Sequence, residues 1–305
     1  MLTYLEKMTL RLAQGVAELP DDLRARQAAY LKRAQRDDGG FAGREGASDL
    51  YYTAFGLRGL ALLGELDGEP AQRAAAFLQS RLAAQTPLVD FISLLFAGAL
   101  LQTAAGIDVF AHSASDWRDS VAALLERFRR ADGGYAKTNE GQSSSTYHTF
   151  LTALALELLG RRPADADRVI EFVRSRRRDD GGFVEIGPMR HSGTNPTAAA
   201  AGLLTIFGAF DDDLRSGVVE FLAEAQNEEG GLKANTRIPL ADLLSTFTGL
   251  LTLADLDALG EIDPEAARRY LRSLETDGGF RGGLWDDGTD VEYAFYGLGA
   301  LSLLA

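Results

Sequence analysis

Hydrophobic and polar positions along this chain alternate between two kinds of helical segment. The first kind is charged and amphipathic, as in residues 20–36, which close on LRARQAAYLKRAQR. The second is apolar nearly all round, as in residues 49–64 (DLYYTAFGLRGLALLG) and 290–305 (DVEYAFYGLGALSLLA). An amphipathic helix keeps one face in water, whereas a helix that is apolar on every side is buried. The pattern therefore predicts outer helices alternating with inner ones. Between them stands an acidic turn, a Gly-Gly pair, and then Phe41, Tyr135, Phe183, Leu232 or Phe280. A glycine just past the basic end of a helix takes φ > 0 at no steric cost, so these pairs read as helix C-caps.

The glycine pairs also act as a ruler. Their first members, Gly39, Gly133, Gly181, Gly230 and Gly278, are separated by 94, 48, 49 and 48 residues. The long gap is two periods, with a member inside it (AAQTPLVDF) that has lost its Gly-Gly. Inner segments start at Asp49, Asp90, Ser145, Gly193, Asp242 and Asp290, which makes six copies of a repeat about 48 residues long. The repeats run over 20–64, 65–104, 105–160, 161–208, 209–257 and 258–305, after an extra helix within 1–19 that packs across or over the edge of the array. Six helix pairs bury every inner helix when they close on themselves, and a closed array leaves no raw end. The expected fold is all-α, a single-domain (α/α)6 barrel or toroid spanning 1–305.

Composition narrows the function classes. With 305 residues, 46% of them hydrophobic, the chain can bury a sizeable core. A net charge of -13 offers nothing to neutralise phosphates on a large scale, so no nucleic-acid partner is expected. The basic runs 127–130 and 174–178 end outer helices, where cations complement the helix dipole. The absence of cysteine excludes disulfides, thiolate zinc ligands and a cysteine nucleophile. No segment reads as a membrane span and the N-terminus carries no signal-peptide pattern, so the cytoplasm is the default location.

Asp49, Asp90, Ser145, Asp242 and Asp290 each precede an apolar helix, where their oxygens suit the free N–H groups of the first turn. Asp290 differs from the others because Glu292 follows it and Asp286 and Asp287 lie just upstream. His148 stands at the same position of its helix as Tyr52 and Tyr293, and is predicted to point inward with them. There it would serve as a base or as a phosphate donor. The glycine pairs follow helices, the opposite of a phosphate-binding loop.

The segments Gln35 to Phe41 and Gln226 to Leu232, together with residues 49–66, carry a resemblance. A Q-x-x-x-G-G repeat followed by a loop and a D-x-x-(H/Y/S)-T segment is similar to the β subunits of protein prenyltransferases, above all the Rab geranylgeranyltransferase type. The wider superfamily includes squalene and oxidosqualene cyclases. The resemblance implies a funnel for an isoprenoid chain, lined by Tyr51, Tyr52, Phe91, Tyr147, Phe247, Tyr293 and Tyr296. Aromatic faces there tolerate an allylic cation. It also implies a prenyl diphosphate substrate held by Arg190, His191, Lys233 and Arg237, and a helical α-subunit partner. The family's zinc ligands are only partly kept. Asp242 is present, but Leu244 and Tyr293 replace the cysteine and histidine, so no zinc and no other cofactor is expected.

A second reading comes from the cyclases, where a D-x-D-D-T-A segment opens an inner helix and supplies an acid. Asp290-Val-Glu292-Tyr293-Ala294 resembles a reduced form of it, with Glu292 or Asp290 as general acid in an apolar funnel. A third reading belongs to another class: a barrel that binds lipid or protein without chemistry.

Overall fold

The computed structural model describes residues 2–82 and 87–305. The stretch in which the second repeat was expected to have lost its glycines falls partly on 83–86, outside the described residues. Thirteen α-helices run through the described residues. After α1 (Tyr4–Ala17), outer helices α2 (Asp21–Ala34), α4 (Gly68–Arg81), α6 (Trp117–Glu126), α8 (Ala166–Arg174), α10 (Asp212–Ala225) and α12 (Pro264–Leu274) alternate with inner ones. The inner helices are α3 (Leu50–Leu62), α5 (Leu88–Ala105), α7 (Thr146–Leu158), α9 (Thr194–Phe207), α11 (Leu243–Asp255) and α13 (Val291–Ser302). The chain divides into two compact units: a central unit of residues 118–272 with 1–4, and a flanking unit of residues 5–117 with 273–305.

In the central unit α9 packs between α7 and α11, with α8 and α10 outside it. Its small sheet pairs β1 (Tyr135–Ala136) antiparallel to β2 (Ser144–Ser145), with Tyr135 opposite Ser145. In the flanking unit α3 packs between α5 and α13, and α2 lies under α3 and α13. There β3 (Glu275–Thr276), β4 (Gly279–Arg281) and β5 (Thr289–Asp290) form an antiparallel sheet in that order, with Phe280 opposite both Glu275 and Asp290. Gly15 of α1 backs onto the Ser302 carbonyl at the end of α13.

The glycine pairs do not cap helices. Helix α2 ends on Gln35 in an extended conformation, and Gly39 sits at the tip of a hairpin in which its N–H donates to Arg36 O at 2.9 Å. Isolated antiparallel bridges Arg129–Tyr135, Arg177–Phe183 and Gln226–Leu232 repeat the same hairpin. Glycine is still required there: Gly39 has φ +86°, and a Cβ at this position would run into the carbonyl oxygen of Arg73 on the next outer helix. Gln35 ties the hairpin down, its Nε2 donating to both Gly39 O and Pro70 O at 2.9 Å.

A threonine latch joins four of the hairpins to their inner helices. The N–H groups of Phe41, Tyr135, Phe183 and Leu232 donate to the hydroxyls of Thr53, Thr149, Thr197 and Thr246, each at 2.9 Å. These threonines in turn donate to the carbonyl of the residue preceding the helix. In the last repeat the position holds Ala294, and the three-stranded sheet carries Phe280 instead.

Asp49, Ser145, Asp242 and Asp290 are N-caps, as their positions predict: each accepts the N–H three residues on, at 2.7, 3.1, 2.7 and 3.0 Å. Asp90 is not. Helix α5 starts earlier, behind Pro87, and Asp90 lies inside its first turn without capping it. The reading that no segment is long enough to span a bilayer is also corrected. Helix α5, with 18 residues, meets that test by length and composition, and it does so as an inner helix packed against α3 and α4.

Candidate functional site

In the flanking unit, small residues bring α3 and α13 against the hairpins behind them. Gly56 faces the Phe41 ring and Gly297 the Phe280 ring, each with no room for a Cβ. This close seating fixes a stripe of α3 at helical spacing, Tyr51, Phe55 and Arg58, opposite Glu292, Phe295 and Tyr296 of α13. The Tyr51 hydroxyl donates to Glu292 Oε1 at 2.7 Å, and the Tyr296 hydroxyl donates to the same oxygen at 3.0 Å. Below them Phe55 meets Tyr51 at 5.0 Å and Tyr296 at 5.3 Å edge to face, and Phe295 at 5.7 Å with the rings tilted. The Arg58 guanidinium lies 3.8 Å over the Phe295 ring and 5.1 Å over Phe55.

Burial pushes the Glu292 carboxyl above the usual glutamate range. The two tyrosine hydrogen bonds and Arg58 pull the other way, and nearby Asp290 adds to the rise. Because both hydroxyls use Oε1, the neutral acid carries its proton on Oε2. The arrangement can present one proton at an aromatic wall.

Asp290 has a different occupation. Its carboxylate caps α13 and lies 3.4 Å from Arg44 Nε, with the side chain only 6% exposed. Arg44 grips Asp286 in a two-pronged ion pair, Nη1 to Oδ1 at 2.8 Å, and donates to Gly288 O at 3.0 Å. The guanidinium holds Asp286 below the usual carboxylate range, whereas burial raises Asp290 despite the same cation. Arg44 also stands 5.3 Å over Tyr293, whose phenol burial pushes up to about 12. Tyr52, beneath Gly43, is raised by burial and by Asp290, Glu292 and Asp49. Phe91 is half-buried in the first turn of α5.

The remaining site residues lie in the central unit. Tyr147 is 39% exposed and Phe247 is buried. Arg190, His191 and Arg237 are exposed and Lys233 is half-buried. Their two loops are laced together: Thr194 N–H donates to Ala234 O at 2.9 Å and its hydroxyl to Lys233 O at 2.6 Å. His148 lies with Nδ1 2.8 Å from Ser145 Oγ, which also bonds Glu185. Sequence reasoning missed Glu185, Arg58 and the Asn195–Thr248 hydrogen bond of 2.7 Å. Arg58 had a signal: it is a basic residue inside an otherwise apolar inner helix.

The residues at the family's zinc positions do not fit that ion. Both Asp242 oxygens are spent on its cap, Oδ1 on Ser245 N–H at 2.7 Å and Oδ2 on the Ser245 hydroxyl at 2.8 Å. Leu244 has no donor atom, and among the described residues no three His, Cys, Asp or Glu gather as a cation cage.

Residues 22–90 and 197–305 match the prenyltransferase alpha-alpha toroid domain. The chain belongs to that family. Its fold class is therefore the α/α toroid, and the resemblance to prenyltransferase β subunits and squalene-type cyclases holds. Among solved structures, the family member is similar to Candida albicans protein geranylgeranyltransferase-I complexed with GGPP, at 17% identity over 92% of this chain and 91% of that one, TM-score 0.73. It is also similar to a single-residue variant of the type II terpene cyclase MstE from Scytonema in complex with geranylgeranyl dihydroxybenzoate, at 16% identity over 98% and 97%, TM-score 0.62. An alpha-1,6-mannanase from a Salegentibacter species shares the fold at 10% identity over 92% and 98%, TM-score 0.60. Chemistry within this toroid thus depends on side chains, since one fold hosts unrelated reactions.

Proposed function

We propose that this toroid is an acid-initiated terpene cyclase with Glu292 as the proton donor. The observation that carries the reading is a buried carboxyl, raised by desolvation, set in an aromatic cluster with one oxygen tied to two tyrosines. In the step, the Oε2–H bond breaks and a C–H bond forms at a terminal alkene carbon of a prenyl chain. The tertiary cation left on the neighbouring carbon is attacked by the next alkene. Loss of a proton from the last cation ends the sequence, and water returns a proton to Glu292. The faces of Tyr51, Phe55, Phe295 and Tyr296 offer negative potential to the cation, and the general acid contributes about 10²–10⁴-fold in rate.

The test is turnover in D2O with squalene, geranylgeraniol and geranylgeranyl diphosphate as trial substrates. The cyclase reading expects cyclic product carrying one deuterium at the protonated terminus and none from Glu292→Gln. Products that form without deuterium, or an undiminished Glu292→Gln enzyme, would overturn it.

A second reading is a prenyltransferase-like enzyme that ionises a prenyl diphosphate. It is favoured by Arg190, Lys233 and Arg237, which stand in the two laced loops and join no ion pair among the described residues. This reading expects diphosphate release from geranylgeranyl diphosphate, lost in Arg190→Ala and Arg237→Ala but kept in Glu292→Gln. A helical α-subunit partner belongs with this second reading.

A further inference from the structure

In the central unit two loops meet ahead of the inner helices α9 and α11. One runs over residues 186–193 and the other over 233–241, and Gly193 pairs with Asn235 where they touch. Residues 188–191 and 236–240 are exposed without a break. Among them Met189, Ile238 and Leu240 are 43, 45 and 44% exposed. Fixed backbone presents these side chains. Arg178 donates from Nε and Nη2 to Met189 O at 3.1 and 2.9 Å, and from Nη2 to Gly187 O at 2.8 Å. In the second loop the Arg237 N–H donates to Asn235 Oδ1 and Asn227 Nδ2 donates to Pro239 O, both at 2.9 Å.

The charge of the two loops is opposite to that of the chain. Neither contains an acid, although the net charge is -13, and they carry Arg190, Lys233 and Arg237, which join no ion pair among the described residues. The acids that flank them are engaged elsewhere, Glu185 with Ser145 and Asp242 with Ser245. Apolar and cationic residues adjoin directly, as Met189-Arg190 and Arg237-Ile238. The core of a protein interface is depleted of charge. At a bilayer surface, by contrast, apolar side chains enter the acyl boundary while neighbouring cations meet the head-group phosphates. We infer that these two loops dock on an anionic lipid surface. The contact is local, because at physiological salt exposed charges more than about 8 Å away are largely screened, and the acidic remainder of the molecule does not cancel it. It depends on neither reading of the chemistry above.

The experiment is co-sedimentation of the full-length protein with vesicles of phosphatidylcholine and phosphatidylserine in a two-to-one ratio, and with vesicles of phosphatidylcholine alone. The protein should bind the anionic vesicles, bind the neutral ones far less, and come off as salt is raised. Arg190→Gln and Arg237→Gln should each weaken binding about five-fold, the worth of one cation near an anionic surface, and flatten the salt dependence. Ile238→Ser with Leu240→Ser should weaken it as well, although both changes leave the charge untouched. Leu124→Ser, an equally exposed leucine on the outer helix α6, should bind as the wild type does. The altered side chains are exposed, so the variants keep the fold, which thermal melts verify. No binding to anionic vesicles, a loss with Leu124→Ser equal to that with the loop variants, or self-association through Ile238 in place of vesicle binding would overturn the inference. Inorganic pyrophosphate at constant ionic strength should leave the vesicle-bound protein in place. Displacement by it would assign the same cations to a free anion and overturn the lipid surface.

Discussion

The hydroxyl of Tyr51 lies 2.7 Å from Oε1 of Glu292, although 241 residues separate the two in sequence. The first and last inner helices meet at this bond. It ties the proposed proton donor to the aromatic wall, and Tyr296 completes the hold from one turn further along α13. Each partner can be removed separately, and the consequences differ in sign.

Replacing Glu292 by Gln removes a buried group whose pKa is raised in the fold. Such a group contributes stability that is fully present below its unfolded value and is lost as pH rises through the folded value. Thermal melts of the wild-type protein should therefore lose stability on going from mildly acidic to alkaline pH by more than those of Glu292→Gln. Glutamine keeps an oxygen for both tyrosines, so the two proteins should melt alike near pH 4. Parallel pH–Tm curves would contradict the assignment.

Tyr51→Phe deletes a donor that favours the ionised carboxylate. Glu292 should then titrate higher, and, on the cyclase reading, the alkaline limb of the pH–rate profile should move to higher pH because the acid must be protonated to act. The variant should also lose about 0.5–1.5 kcal/mol, the net worth of one hydrogen bond, by urea denaturation. Tyr296→Phe is expected to do the same to a smaller extent, its bond being longer at 3.0 Å.

Arg44→Ala strips the cation from Asp286 and Asp290. Asp286 is held low by Arg44, so its contribution is present above the unfolded pKa and is lost as pH falls through the folded one. The Arg44 side chain is 40% exposed. Solvent screening thus places the expected loss near about 1 kcal/mol, the upper end for exposed pairs. A double-mutant cycle with Asp286→Asn at pH 7 and at pH 3 measures it, and the coupling should shrink at the lower pH.

Thr246→Val leaves the buried Leu232 N–H without its 2.9 Å acceptor at nearly constant side-chain volume. The expected cost is about 1–3 kcal/mol, the penalty of an unsatisfied buried donor. Equivalent substitutions at Thr53, Thr149 and Thr197 should cost similar amounts by urea denaturation. Ala294→Val, which removes no latch in the last repeat, serves as the comparison.

Much of the fold was legible because it is local and periodic. The spacing of the glycine pairs and the switch from amphipathic to all-apolar segments located every inner helix, and Asp49, Ser145, Asp242 and Asp290 announced their helix starts by N-cap chemistry within one turn. The glycine turn was misread for a local reason too. Gln35 leaves the helix early because its amide bonds Gly39 and Pro70, and Pro70 belongs to the next outer helix. Asp90 was misread because Pro87 starts α5 a turn sooner than the repeat register places it.

By itself, then, the sequence determined six helix pairs, their inner and outer faces, and a stock of aromatic and acidic side chains at inner-helix starts. Each of these follows from periodicity and short-range backbone chemistry. Only the tertiary structure decided which acid is tied to a helix cap and which meets the aromatic cluster. Asp290 and Glu292 look interchangeable in sequence, but Asp290 is taken by its own helix cap and by Arg44, while Glu292 meets Tyr51 and the Phe55–Phe295 cluster. Those contacts join the first repeat to the last. No local pattern encodes them, because a residue's protonation is set by the charges and desolvation that distant segments bring to it.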